Sequence, residues 1–296
     1  MNIYLFGRTT LSGEAFIEKA DKIISKKIYS FSRIKNLSNR YTDLKNPDSF
    51  DLVDNQEFLI VSFAPIWELS YFLSYLFKFQ KYKLSHLKGI IACSSTSALT
   101  KRFESNSFDR NLSKNLINSE KNIIKISERL GINCQIIRPT LIYGSINNMK
   151  DKNISKIITI MRIFKLILIP SNSGTRQPIH AYQLSEVIHT LIKSYSEKMN
   201  KSQRNLLSVG GDVILSYEEM LRALKSSLNP NDNAKNCLIL VIPKRIYFIF
   251  ILPVMFFSPK IFASLSRICS DLSGFTMACQ ITKSIPKDFP MFKISQ

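Results

Sequence analysis

The chain has 296 residues, 45% of them apolar and 21% charged, and 41 lysines and arginines against 22 acidic residues give a net charge of +19. These values are typical of a globular protein with one or two domains and exclude a disordered or fibrous chain. Five scattered cysteines without a CxxC pair, and three histidines, argue against a disulfide framework or a zinc site, so we expect a reducing, cytoplasmic location.

In chain order, short apolar runs alternate with helical patterns. The runs predict strands at 2–6, 27–31, 58–63, 89–93 and 134–138, with a further strand ending near 41–44. Helices are predicted at 11–24, 66–79 and 112–130 between them. Continuous apolar strands separated by helices indicate a parallel sheet covered on both faces, an α/β fold of the Rossmann type, doubly wound.

After Pro139 the pattern loosens. Helices are predicted at 153–168, 184–194 and 217–228, with a short extended piece at Ile179 and an apolar, loop-rich tail. We therefore assign residues 1–145 to the sheet domain and 146–296 to a small, mostly helical C-terminal substrate lobe, with segments near 175–210 allowed to return to the sheet. The longest uncharged apolar stretch, 246–257, contains Pro253 and is too short to span a bilayer. It predicts a core helix, with an interfacial membrane helix as the alternative.

The first predicted strand leads directly into a turn from Gly7 to Gly13 and then into a helix. In a dinucleotide-binding turn, the first glycine makes the bend, the last lets helix and strand pack closely, and the helix N-terminus faces the pyrophosphate. Thr10 stands where a middle glycine is usual. After the second strand, Arg33 replaces the acidic residue that would hold the 2′-hydroxyl of NAD, so NADP is favoured over NAD. Asp43 is placed to meet the adenine.

Three further segments share one order and spacing: the serine block at 93–97, the block Arg-Pro-Thr-Leu-Ile-Tyr-Gly at 138–144, and the block Arg-Gln-Pro-Ile-His-Ala at 176–181. Together with the glycine turn, they resemble the extended short-chain dehydrogenase/reductase family, and most closely an atypical branch similar to the NAD-dependent epimerases and dehydratases of nucleotide sugars. The resemblance covers most of residues 1–225. It implies an NAD(P)-binding sheet domain and a lobe that holds the substrate.

The resemblance also implies roles for single residues. Ser95 takes the position of the active-site serine, with Thr96 beside the substrate and Arg176 against the phosphates of a sugar nucleotide. Tyr143 is the nearest alternative proton donor. The other residues expected at the cofactor lie in the turn or near strand ends: Thr9, Leu11, Ser62, Ala64, Ser94 and Pro139.

The family's Tyr-x-x-x-Lys pair is missing. Aligning Glu120 with the glutamate that follows this pair places Leu112 and Leu116 at the tyrosine and lysine positions, and neither side chain can transfer a proton. Lys114 lies about 200° around the helix from Leu112 and does not replace the lysine.

The motifs, the missing Tyr/Lys pair and the net charge together leave three functions open. The favoured one is an NAD(P)-dependent epimerase, dehydratase or reductase acting on a nucleotide-linked or related sugar. The first alternative is a non-catalytic NADP-binding sensor or assembly protein. The second is a basic protein that binds a membrane or nucleic-acid surface, which rests on charge alone. The favoured reading includes a small-molecule substrate, no nucleic acid, no metal and a homodimer, with contact to a membrane surface left open.

Overall fold

The computed structural model describes residues 1–20, 27–34, 40–104, 106–147, 149–197 and 206–292. The strands are β1 Asn2–Phe6, β2 Ile28–Ser32, β3 Arg40–Tyr41, β4 Phe58–Ser62, β5 Leu87–Cys93, β6 Asn133–Pro139, β7 Ile142–Tyr143, β8 Ser145–Ile146, β9 Met149–Lys150, β10 Leu166–Pro170, β11 Thr175–Arg176, β12 Ile179–His180, β13 Leu206–Gly210, β14 Leu215–Ser216, β15 Leu238–Ile242 and β16 Thr276–Met277. The helices are α1 Leu11–Ala20, α2 Ile66–Phe79, α3 Ser97–Thr100, α4 Ser107–Leu130, α5 Ile154–Ile163, α6 Ala181–Glu197, α7 Tyr217–Ser227, α8 Lys244–Ile251, α9 Val254–Phe257, α10 Pro259–Ser266 and α11 Ala278–Thr282.

Within the described residues, eight strands form one parallel sheet in the order β16-β13-β6-β5-β4-β1-β2-β3. From β3 to β6 this is the doubly wound order in which a dinucleotide binds at the point where the strand order reverses, between β1 and β4. The five strands predicted from the apolar runs all lie in this sheet, each within two residues of the predicted bounds. The predicted α/β fold of the Rossmann type is therefore confirmed.

Both faces of the sheet are covered, which is why its strands are apolar on both sides. On one face, α2 and α4 pack a core rich in aromatic rings, including Tyr4, Phe31 and Phe72. On the other face, α1, α6 and α11 pack on Ile3, Val61 and their neighbours. The burial of continuous runs such as 58–62 on both sides is what a parallel sheet requires.

The long helix α4 has clear signals at both ends. The side chain of Asn106 accepts a hydrogen bond from the main-chain N–H of Asp109 and caps its start. Gly131, with φ of 67°, ends it in the left-handed conformation that glycine adopts at little cost. The helix therefore begins five residues earlier than predicted. The predicted helix at 11–24 is observed as α1 to Ala20, and positions 21–24 lie outside the described residues.

The later part of the chain divides between the sheet and a lobe. The segments α6, β13, β16 and α11 belong to the sheet layers, while α5, α7 and the parallel pair β10–β15 enclose a separate core around Met161, Ile169 and Met220. The helix predicted at 153–168 is wrong in its last part, because it ends at Ile163 and Leu166 begins β10. The alternating burial of β10, with Ile167 and Ile169 in the lobe core, fits a strand.

Candidate functional site

The turn between β1 and α1 brings strand and helix so close that neither glycine can carry a side chain. A Cβ on Gly7, whose φ is +80°, would lie 2.5 Å from the main-chain nitrogen of Ala64. A Cβ on Gly13 would lie 2.3 Å from the carbonyl oxygen of Gly7. The Thr10 hydroxyl donates to the Gly7 carbonyl at 2.8 Å and accepts from the Gly13 N–H at 3.1 Å, so it caps α1. This is the packing that a dinucleotide-binding turn needs.

A smaller cavity of about 150 Å³ lies on one side of this turn. It is lined by Gly7, Thr9 and Thr10 of the turn, by Ser32 and Arg33 at the end of β2, and by the neighbouring residues Phe6, Phe31, Ile34, Thr42, Leu44, Ala64, Pro65 and Glu68. Arg33 is exposed at its rim. Asp43 is not among the lining residues, and its carboxylate instead accepts from the Lys45 N–H at 3.0 Å. Thr42 and Leu44 line this cavity and Asp43 between them does not, so the contact between Asp43 and an adenine stays a prediction.

A larger cavity of about 680 Å³ lies on the other side of the turn, at the carboxyl ends of β4 and β5. Thr9, Thr10, Ala64 and Pro65 line both cavities. Its other walls come from the serine block, α4 and the segment before α5: Leu11, Ser12, Phe63, Ile66, Trp67, Cys93, Ser94, Ser95, Ser97, Leu112, Leu116, Ile142, Met149, Lys150, Asp151, Lys152 and Asn153. The two cavities thus form one groove that passes over the glycine turn.

Ser95 is half-buried in the wall of the larger cavity. Its Oγ accepts a hydrogen bond from the Ser97 N–H at 3.1 Å, and within the described chain no residue accepts the hydrogen of its own hydroxyl. A serine hydroxyl is both donor and acceptor, so Ser95 can still donate to a ligand oxygen. Thr96 is buried, and its Oγ1 donates to the Pro139 carbonyl at 3.2 Å. The predicted substrate contact of Thr96 would therefore require that bond to be released.

Ser94 belongs to a buried polar network beneath the cavity. Its Oγ donates to Glu120 Oε1 at 2.5 Å, and Arg138 grips the same carboxylate through Nε at 2.9 Å and through Nη2. Glu120 is 1% exposed and Arg138 8%. A buried charge needs such pairing, so this network ties β5, α4 and β6 together and fixes the serine block. Ser62 is also below the surface, where its Oγ accepts from the Ala64 N–H at 3.3 Å.

Leu112 and Leu116 both line the larger cavity, across from the serines. Leu116 is buried, Leu112 is half-buried, and Lys114 is exposed on α4. Among the described residues that line the larger cavity there is no tyrosine and no histidine. The wall that α4 contributes, at the positions of the Tyr-x-x-x-Lys pair, is therefore apolar.

The groups that can carry charge at the larger cavity are few. Burial raises the pKa of the Cys93 thiol to about 12, so it is neutral at physiological pH. Asp151 is engaged in capping α5, where Oδ1 accepts from the Ile154 N–H at 2.5 Å and from the Asn153 N–H at 2.9 Å. Lys150 and Lys152 are exposed at the rim. These two lysines are the cations along the described lining of this cavity, and the sequence analysis did not select them.

Tyr143 and Arg176, which the resemblance placed at the site, are both buried and line neither cavity. Tyr143 is 3% exposed in the lobe core, its hydroxyl accepts from the Met291 N–H at 3.0 Å, and burial raises its pKa. To act as a proton donor at the larger cavity, as predicted, Tyr143 would have to leave this position.

Arg176 is 7% exposed and binds main-chain carbonyls. Its Nη1 donates to Thr175 at 2.7 Å and to Ser270 at 2.6 Å, and Nη2 donates to Arg267 at 2.6 Å. The guanidinium therefore braces the lobe. The predicted grip on a sugar-nucleotide phosphate would require these bonds to break.

No protein-family model and no curated protein sequence matches the chain. Solved structures do. UDP-glucose 4-epimerase from Bifidobacterium longum, in complex with NAD+ and UDP, superposes with a TM-score of 0.66 at 12% identity over 99% of this chain and 96% of that one. GDP-mannoheptose C4 reductase from Campylobacter jejuni, with NADP bound, gives 0.61 at 12% identity over 82% and 87%. UDP-glucuronic acid 4-epimerase from Bacillus cereus, in complex with NAD, gives 0.60 at 13% identity over 82% and 86%.

At these identities the likeness establishes the fold. The resemblance stated from the sequence motifs is confirmed at that level: this chain has the fold of the extended short-chain dehydrogenase/reductase epimerases, dehydratases and reductases.

Proposed function

We propose that this protein binds NADP in the groove over the glycine turn and a nucleotide-linked sugar in the larger cavity, as an epimerase, dehydratase or reductase. The observation that carries the proposal is the close packing of Gly7 and Gly13 at the point where the strand order reverses, with a cavity on each side. Proteins of this fold whose structures contain NAD, NADP or UDP support the choice of ligands.

The residues fit the cofactor. Gly7 and Gly13 let the turn pack closely, and the Thr10 hydroxyl is bonded within the turn. The N-terminus of α1 would present main-chain N–H groups to a pyrophosphate. Arg33 at the rim of the smaller cavity supplies a cation for a 2′-phosphate, which favours NADP. When bound, the nicotinamide would supply or accept hydride.

For the substrate, Ser95 would donate a hydrogen bond to the reacting sugar oxygen, because its hydrogen has no acceptor within the described chain. Lys150 and Lys152 would attract the diphosphate, a role that the sequence analysis gave to Arg176. Leu112 and Leu116 exclude water from one wall but move no proton. A missing general acid or base lowers a rate by about 10²–10⁴-fold, so turnover should be slow.

The second candidate is a protein that binds the same ligands without converting them. The specific observation in its favour is the apolar wall formed by Leu112 and Leu116. Both candidates predict binding of the cofactor, and they differ in turnover.

The test combines calorimetry with absorbance of the nicotinamide at 340 nm, using purified protein, NADP or NADPH, and a panel of UDP- and GDP-linked sugars. Catalysis predicts cofactor binding and a slow change of absorbance or a converted sugar. Ser95→Ala should then lower the rate by about tenfold or more with cofactor affinity unchanged, because one hydrogen bond to the reacting oxygen is removed.

Ser85→Ala is the control for the rate, because this exposed serine lines neither cavity. Binding without conversion of any sugar would favour the second candidate. Failure to bind either NADP or NAD would refute the proposal as a whole.

A further inference from the structure

A large apolar surface lies on the lobe, outside the groove. It is formed by α8, α9 and α10, and α10 contacts both of the other helices. Its most exposed side chains are Ile249 at 69%, Phe250 at 61%, Leu252 at 50%, Phe256 at 79%, Phe257 at 90% and Ile261 at 54%. We call these six side chains and the helices that carry them the docking surface. Contiguous exposed apolar surface of this kind marks an interaction site on a soluble protein.

The three helices bury few of their residues, so most of their apolar side chains do not belong to the core of the lobe. In α8, Tyr247 and Ile251 are buried four residues apart, and the Tyr247 hydroxyl donates to the Leu265 carbonyl at 3.1 Å. In α10 only Ala263 is buried, and α9 buries none of its residues. The helix α8 is therefore anchored through Tyr247 and Ile251, while Phe250 and its neighbours are exposed.

The charge around this surface has one sign. Between Asp232 and Asp271 the chain has no acidic residue but five lysines and arginines. Of these, Arg267 is paired with Asp109 at 2.6 Å, whereas Lys244, Arg245 and Lys260 are exposed on α8 and α10. Lys260 also lies 4.3 Å from the centre of the Phe108 ring. The docking surface thus combines exposed aromatic side chains with a rim of exposed cations.

Aromatic and aliphatic side chains with a lysine- and arginine-rich rim are the combination by which short helices bind in the interfacial region of an anionic bilayer. The described chain has no helix long and apolar enough to cross a membrane. We propose that the docking surface binds an anionic phospholipid bilayer, with Phe256 and Phe257 entering the interface and Lys244, Arg245 and Lys260 facing the headgroups. This inference does not depend on the proposed function.

The first experiment is co-sedimentation of the full chain with vesicles of phosphatidylcholine, with and without phosphatidylglycerol. We expect sedimentation with the mixed vesicles and much less with phosphatidylcholine alone. Phe256→Ser with Phe257→Ser should lower the affinity by about tenfold or more, because two large apolar groups no longer leave water. Lys244→Gln and Arg245→Gln should each lower it by about fivefold, and added salt should do the same.

Two control variants remove an exposed aromatic ring and an exposed positive charge outside the docking surface. Phe79→Ser removes a ring that is 61% exposed at the end of α2, and Lys121→Gln neutralises an exposed lysine on α4. Both should sediment as the unchanged protein does. Equal losses in the control variants, or no sedimentation of the unchanged protein with mixed vesicles, would overturn the proposal.

A fluorescence measurement reports the position directly. Trp67 is the single tryptophan of the chain, so Trp67→Phe with Phe257→Trp leaves one reporter on the docking surface. Its emission should shift to shorter wavelength when mixed vesicles are added. An unchanged emission means that this side chain stays in water and contradicts the proposal.

A second copy of this chain is the competing occupant, and light scattering without lipid tests it. If the unchanged protein is a dimer that Phe256→Ser with Phe257→Ser converts to a monomer, and vesicles do not bind, the surface is a subunit interface and the proposal is wrong.

Discussion

Arg33 is the residue on which the proposed preference for NADP rests. It is exposed at the rim of the smaller cavity, beside the end of β2, where a guanidinium can reach a 2′-phosphate but meets nothing on an unphosphorylated ribose. A hydrogen bond to a charged group is worth about 1.5–3 kcal/mol, which corresponds to about 10- to 100-fold in affinity.

We therefore expect Arg33→Glu to weaken NADP binding by about tenfold or more and NAD binding by less than about threefold. Calorimetry with both cofactors measures this difference. Arg129→Glu, which reverses the charge of an exposed arginine in the last turn of α4, should leave both affinities as they are. Equal losses for NADP and NAD in the Arg33 variant would show that this side chain does not distinguish them.

Among single residues, the close packing of the two glycines follows from the sequence, whereas the hydrogen bonds of Arg176 do not. Gly7 and Gly13 follow from a local pattern, because the strand, the turn and the helix are consecutive. The partners of Arg176 are carbonyls at 267 and 270, about ninety residues away along the chain, and no local pattern reveals them. Lys150 and Lys152 were missed because exposed lysines are common in this chain and only the fold places these two at a cavity.

At the scale of elements, the glycine turn sets how closely α1 packs on β1 and β4. Gly13→Ala would force a Cβ to within 2.3 Å of the Gly7 carbonyl oxygen, so the backbone must move apart. We expect a loss of about 1–3 kcal/mol in the free energy of unfolding, as for other overpacked positions, and NADP affinity lowered by at least about tenfold.

Gly131→Ala is the matched control. Its φ of +67° makes alanine strained by about 1–2 kcal/mol, but no atom lies within 4 Å of the added Cβ. It should therefore lose stability and keep its NADP affinity. Denaturant unfolding and calorimetry of both variants separate the two effects, and equal NADP affinity in both would contradict the role given to the turn.

The elements themselves were predictable where the local pattern of apolar residues identifies a strand without knowledge of its partner. Strands β1, β2, β4, β5 and β6 are continuous apolar runs whose burial on both faces is evident from composition. Strands β13 and β16 were not predicted, because they are short and their place in the sheet depends on pairing with β6 and with each other. The strand β10 was assigned to a helix, since Ile and Leu suit either structure until the partner strand β15 is known.

At the scale of the whole molecule, Asp109 joins the sheet domain to the lobe. It lies in the first turn of α4 and accepts hydrogen bonds from Lys101 at 2.6 Å and from Arg267, which follows α10, at 2.6 Å. Burial opposes its ionisation, but the hydrogen bonds from Lys101, Asn106 and Arg267 outweigh burial and hold the pKa of Asp109 well below its usual range.

Because this pKa is lower in the folded chain than in the unfolded one, the ionised carboxylate stabilises the fold above the unfolded value of about 3.9. That stabilisation is lost as the pH falls from there towards the folded pKa. Asp109→Asn should therefore lower the free energy of unfolding by about 1.5–3 kcal/mol at neutral pH, and the difference should narrow below about pH 4.

Urea unfolding followed at neutral and acidic pH measures both values. Asp288→Asn is the control, since its side chain is exposed and its loss should change stability little at either pH. A difference that stays constant from neutral to acidic pH would show that the charge of Asp109 is not what holds the two parts together.

During synthesis on the ribosome, one edge of β6 stays unpaired for some time, because its outer neighbour in the sheet comes much later in the chain. Strands β1–β6 have emerged once residue 139 has left the exit tunnel, but β13, the outer neighbour of β6, ends 71 residues later, at residue 210. At about 5–20 residues per second, the nascent chain spends about 4–14 s with the edge of β6 unpaired and with the face later covered by α6 open to water. An unpaired strand edge can pair with other chains, so the edge of β6 is open to aggregation during this interval and is protected once β13 has paired with it.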